Sequence, residues 1–115
     1  MNWYFKVSIM GDDWTMYLVD DDDAVIAGED SGAETDPETK EIYFRRGEVT
    51  IQTILHELWH AYFSYTHTNT AGLDENQMEE VSAELFAYNA IKILDQANNV
   101  YKQLIELRDN NGSKV

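Results

Sequence analysis

Apolar residues recur in two different rhythms along this chain, and the change falls near residue 48. Before it, short runs rich in aromatic and β-branched residues alternate with turn-forming ones. Residues 3–9 (WYFKVSI) and 14–19 (WTMYLV) read as two short strands, or as one strand and a short irregular element, with Gly11-Asp12-Asp13 as the turn between them. Residues 24–35 can open with a further short strand. Asp36-Pro37-Glu38-Thr39 has turn composition, with proline fixing φ, and Glu41 to Arg45 follows as a strand, so residues 30–46 form a predicted hairpin.

From Glu48 onward the period becomes helical. Ile51, Leu55, Leu58, Tyr62 and Tyr65 alternate steps of four and three, which is one apolar seam of a helix. The polar stretch 66–72, closing on Gly72, ends it. Asp74 is the predicted N-cap of a second helix, with Gln77 at the capping-box position. That helix is expected over about 75–94. Residues 95–99 are expected to bend or break it, residues 100–108 to resume it, and residues 110–115 to fray. The expected fold class is α+β: a small, mostly antiparallel sheet in the N-terminal half, then two helices.

Composition narrows the chemistry. A chain of 115 residues suits one compact domain, taken here as residues 1–115. The formal charge of −14 repels phosphates, which argues against nucleic-acid binding, and its plainest meaning is solubility. The run of four aspartates at 20–23 lacks the alternating ligands and late glutamate of a calcium loop and reads as a solvated loop. There is no cysteine, so disulfides and thiolate sites are excluded, and any metal must be held by histidine and carboxylate. No signal peptide and no apolar run of roughly 20 residues is visible, so a cytoplasmic protein without membrane contact, monomeric or a small homo-oligomer, is expected.

The chemistry concentrates at His56-Glu57-Leu58-Trp59-His60, an H-E-x-x-H motif. Residues four apart share one face of a helix, so two imidazoles can approach one zinc ion at about 2.0–2.1 Å. Glu57, offset by about 100° from His56, can act as general base on a zinc-bound water whose pKa the metal lowers toward about 7. The wheel puts His56, Glu57 and His60 opposite the apolar seam. His67, in the polar stretch, reads as a surface residue.

Zinc in a hydrolase usually takes three protein ligands and a water. Without cysteine the third must be Glu, Asp or His67. Glu80 shares a stripe with Ala83, Glu84, Ala87, Ile91 and Leu94, which is expected to pack inward, and a buried carboxylate needs a partner such as a metal. Glu79, about 100° away with Ser82 and Phe86, is the alternative. Glu84, one turn beyond Glu80, can orient a ligand histidine through its second nitrogen.

At these residues the chain resembles the gluzincin metallopeptidases, in which H-E-x-x-H is followed on a later helix by a glutamate ligand. Residues 54–61 look like the active-site helix of that family. Glu80-x-x-Ala83-Glu84 looks like its glutamate helix, at a spacing similar to that of thermolysin-like enzymes. The layout is most similar to minimal gluzincins, including small phage-encoded metallopeptidases and the core of ImmA/IrrE-type peptidases. The resemblance implies zinc held by His56, His60 and Glu80, Glu57 as catalytic base, and a peptide or protein substrate. It also implies an edge strand beside the cleft, for which Glu41 to Arg45 is the expected choice, with Arg45 and Arg46 as surface charges. Two other readings compete: a zinc-binding regulatory or interaction protein with little turnover, and a helical module without metal.

Overall fold

The structure, a computed structural model, describes residues 3–26, 31–65 and 72–112, with side chains described through residue 110. Strands β1 (Trp3–Ile9) and β2 (Asp12–Val19) form an antiparallel hairpin. Its turn is Met10-Gly11, one residue earlier than expected. Both have positive φ, 53° and 85°, the combination that a two-residue turn matched to strand twist requires. Strands β3 (Ala33–Asp36) and β4 (Glu41–Arg45) form the second hairpin, as predicted. Asp36 caps its turn by accepting hydrogen bonds from the backbone N–H of Glu38 at 3.0 Å and of Thr39 at 3.4 Å.

The two hairpins join through a parallel pairing of β2 with β4, giving the order β1-β2-β4-β3. The sheet is therefore mixed, and β4 is an interior strand. The edge that lies along the following helix is β3, which corrects the expectation for residues 41–45. Arg45 is also not a surface charge. It is buried, and its guanidinium donates to the carbonyls of Ser31, Asp21, Asp23 and Ile26, fastening the loop after β2 onto the sheet. Arg46 lies over the Trp3 ring at 4.3 Å and donates to the Arg108 carbonyl.

Helix α1 (Ile51–Ser64) starts at Thr50, whose hydroxyl accepts the Thr53 N–H at 3.1 Å. Helix α2 runs unbroken over Glu75–Gly112. The capping box forms as predicted: Asp74 accepts from Gln77 N–H at 2.8 Å and the Gln77 side chain returns to Asp74 N–H at 3.0 Å. The expected break at 95–99 is absent. No glycine or proline interrupts residues 75–111, Ala97 is fully buried, and the Gln96 side chain is clamped between the Tyr62 hydroxyl and the Ser8 carbonyl.

One core cluster joins the sheet to both helices. Trp14, Met16, Leu18, Ile42 and Phe44 from the sheet meet Ile54, Leu58 and Tyr62 of α1 and Leu85, Ile93, Val100 and Leu104 of α2. Among the described residues no helix is long and apolar enough to cross a membrane.

Candidate metal centre

The phase of α1 decides where its motif points. Ile54, Leu58, Ala61 and Tyr62 are buried against the sheet, and His56 and His60 face solvent on the opposite side. Glu57 does not stay with the histidines as the wheel suggested. It turns into the flank facing β3 and is only 7% exposed. Leu55 and Trp59 occupy the other flank, toward α2, where Trp59 meets Phe86 at 5.8 Å between ring centroids. The histidine pair thus stands on a ridge between an edge strand and a second helix.

His56 and His60 converge. Their Nε2 atoms are 3.1 Å apart and their rings meet edge-on at 74°. Two N–H groups cannot point at each other at that distance, so at least one facing nitrogen presents a lone pair. At zinc–nitrogen distances of about 2.0–2.1 Å, this separation corresponds to an N–Zn–N angle of roughly 100°, within the tetrahedral range. The two imidazoles therefore fit one zinc ion without rearrangement of the helix.

Glu57 is held in place from the β3 side. The Thr35 hydroxyl of β3 donates to Glu57 Oε1 at 2.6 Å and also approaches the Glu57 carbonyl at 3.2 Å. Having one hydrogen, it serves the nearer carboxylate oxygen. Oε2 is then left on the histidine side, 4.0 Å from His56 Nε2. An open cleft of about 720 Å³ runs along this arrangement, bounded by Thr35, Glu38, His56, Glu57, His60 and Phe63. Thr35 was not singled out from the sequence. Its only signal was the alternation of β3, which sends Ala33 and Thr35 toward the helices once Asp36 is fixed as the turn residue.

The glutamate helix needs correction. The stripe carrying Glu80, Ala83, Glu84, Ala87, Ile91 and Leu94 does not pack inward. All six residues are exposed, Ile91 at 77%. The buried stripe is Leu85, Asn89, Ile93, Ala97, Val100 and Leu104, with the Asn89 side chain turned back onto the Leu85 carbonyl at 2.9 Å. The flank of α2 facing α1 contains Phe86, Ala90, Ile93 and Leu94, whose mean direction lies close to that of Glu79. At about 100° per residue Glu79 falls within about 20° of Phe86, and Glu80 lies roughly 120° away. Helical phase therefore favours Glu79, although both glutamates are exposed. Among the described residues no cluster of three His, Asp or Glu side chains is assembled to hold a metal.

Tyr62 and Tyr65 are engaged away from the histidine pair. The buried Tyr62 hydroxyl donates to Gln96, and burial pushes its pKa up. Tyr65 donates to Asp12 or the Ile9 carbonyl while accepting from Trp14 Nε1, so it braces the first hairpin. Tyr88 projects into solvent. His67 lies outside the described residues.

No protein family matches the chain, and no curated protein or solved structure matches it significantly.

Proposed function

We propose that this chain is a zinc-dependent metallopeptidase that hydrolyses peptide bonds, with His56 and His60 as metal ligands and Glu57 as general base. The observation that carries the reading is the convergence of the two Nε2 atoms at 3.1 Å beside a carboxylate fixed from the other side by Thr35. The third ligand comes from the Glu79-Glu80 pair. The resemblance to gluzincins favours Glu80 through its spacing from the motif, and helical phase favours Glu79.

Bound zinc would supply Lewis acidity to a substrate carbonyl and acidify water. The protein supplies the rest. Thr35 orients the Glu57 carboxylate so that Oε2 faces the cleft, where it takes a proton from the attacking water and returns it to the leaving amine. The exposed edge of β3 offers backbone groups to an extended peptide lying along the cleft.

A second reading, a zinc-binding regulatory or interaction protein with little turnover, draws on the absence of an assembled third ligand among the described residues. A Glu57→Gln variant separates the two. Under the peptidase reading, cleavage of an unstructured protein substrate falls by at least about 100-fold, in line with loss of a general base, while zinc content stays unchanged. A biological effect that survives this substitution undiminished supports the regulatory reading.

A further inference from the structure

One row of the sheet carries a tyrosine on each of three adjacent strands. Tyr4, Tyr17 and Tyr43 are register partners in turn, and Glu34 on β3 is the next position in the row. Their rings follow the backbone register. Centroids are 5.7 Å apart for Tyr4 and Tyr17, and 5.0 Å apart for Tyr17 and Tyr43, which stack with only 12° between planes. All three project from the face opposite the core, because Met16, Leu18, Ile42 and Phe44 beside them in sequence fill the core side. Tyr4 is 50% exposed, and the other two are partly exposed.

Carboxylates stand at both margins of this row. On one side the neighbouring register positions are Lys6, Thr15, Glu41 and Asp36. Glu41 accepts a hydrogen bond from the Tyr43 hydroxyl at 2.7 Å, which fixes it beside the ring. On the other side lies the loop carrying Asp20, Asp21, Asp22 and Asp23, all exposed. Buried Arg45, two residues after Tyr43 on the same strand, fastens that loop at this end of the face through the carbonyls of Asp21 and Asp23. The backbone of the aspartate run thus borders the tyrosine row, with the Asp21 carboxylate accepting the Gly47 N–H at 2.7 Å and the Asp23 carboxylate the Val25 N–H at 2.9 Å. Cross-strand aromatic pairing stabilises a sheet by itself, but it does not call for acids along both edges.

The geometry points to a docking platform for arginine side chains of a basic partner segment. Tyr17 and Tyr43 cover each other's facing sides, so a guanidinium plane stacks on the exposed outer face of Tyr4, while a neighbouring arginine of the same segment turns its N–H fork to the Glu41 carboxylate at the margin. The net charge of −14 draws such a segment in. A lysine ammonium lacks the stacking plane, and a neutral sugar gains nothing from the surrounding charge. The site lies on the opposite face of the sheet from the histidine pair and does not depend on zinc.

The test is a backbone amide NMR titration at about 150 mM salt, where long-range attraction between exposed charges is largely screened. The probes are an eight-residue Arg-Gly repeat peptide, its Lys-Gly twin, and maltohexaose. The Arg-Gly peptide is expected to shift resonances at Tyr4, Tyr17 and Tyr43 and to bind about 2- to 5-fold more tightly than the Lys-Gly peptide, the margin that one stacked guanidinium at an exposed site adds. Tyr17→Thr, which keeps strand propensity, and Tyr4→Ser at the exposed edge are each expected to weaken binding several-fold. Glu75→Gln on α2 removes the same unit of charge as any acid-to-amide change and is expected to leave binding within 2-fold. Equal binding of the two peptides, equal weakening by Glu75→Gln, or shifts of the tyrosine row by maltohexaose in place of the Arg-Gly peptide would each overturn the proposal.

Discussion

Thr35 Oγ1 lies 2.6 Å from Glu57 Oε1, and this hydrogen bond ties the edge of the sheet to the one carboxylate of the H-E-x-x-H motif. Thr35→Val keeps the shape of the side chain and removes the donor. The buried carboxylate then loses a hydrogen bond, and the expected cost is about 1–3 kcal/mol of stability, measured by urea unfolding at pH 7. Under the peptidase reading, turnover also falls by about 10-fold or more while zinc content is kept, because the base is misplaced and the ligands are untouched. Unchanged stability would show that the contact carries no weight.

Arg45 fastens the residues after β2 to the sheet. Its guanidinium serves four carbonyls from one loop. Arg45→Met leaves those acceptors without a donor, and a loss of about 3 kcal/mol is expected. Arg45→Lys recovers less than half of it, since a point ammonium cannot reproduce the fork. Thermal unfolding of the two variants checks the order.

The phase of α2 is tested by neighbours on opposite sides. Ile93 is 5% exposed and Ile91 is 77% exposed. Ile93→Ala is expected to cost about 2–4 kcal/mol through a core cavity, and Ile91→Ala to stay within about 0.5 kcal/mol. The reverse order would return Glu80 to the inward face.

Glu41 and Tyr43 predict a pH dependence. Hydrogen bonds, first from Tyr43 and then from Thr39, hold the Glu41 carboxyl below its ordinary 4.5. Its contribution is therefore present above that value and is lost as pH falls through the lower folded pKa. Burial, and then the bond to Glu41, push the Tyr43 hydroxyl above its ordinary 10.0, so its contribution is present below that value and is lost as pH rises through the higher folded pKa. Tyr43→Phe should lower stability at pH 7, with the gap to wild type closing as pH falls from 4.5 toward 3. Urea unfolding at pH 7 and pH 3 decides it, and a constant gap would contradict the account.

Much of this architecture is legible along the chain, and the failures have identifiable causes. Alternation and turn chemistry identify the second hairpin and leave the first open between two strands and one, and the capping box at Asp74 and Gln77 marks the start of α2 to the residue. Strand order is different. The parallel pairing of β2 with β4 is supported by Arg45, a residue whose type suggests the surface, through the carbonyls of Asp21, Asp23, Ile26 and Ser31. The phase of α2 was obscured because Asn89 sits in the buried stripe while Ile91 and Leu94 face solvent. At the site, the spacing of His56 and His60 sufficed to bring their nitrogens together. Thr35, twenty-two positions from Glu57, became visible only with β3 in place.

The most direct test of the central claim is the metal content of protein purified without chelator, for wild type beside His60→Ala, Glu79→Ala and Glu80→Ala. The account predicts about one zinc per chain in wild type, none in His60→Ala, and a clear loss in one of the two glutamate variants. Wild-type protein that carries no zinc even after zinc is supplied, or His60→Ala protein that retains a full equivalent, would contradict it.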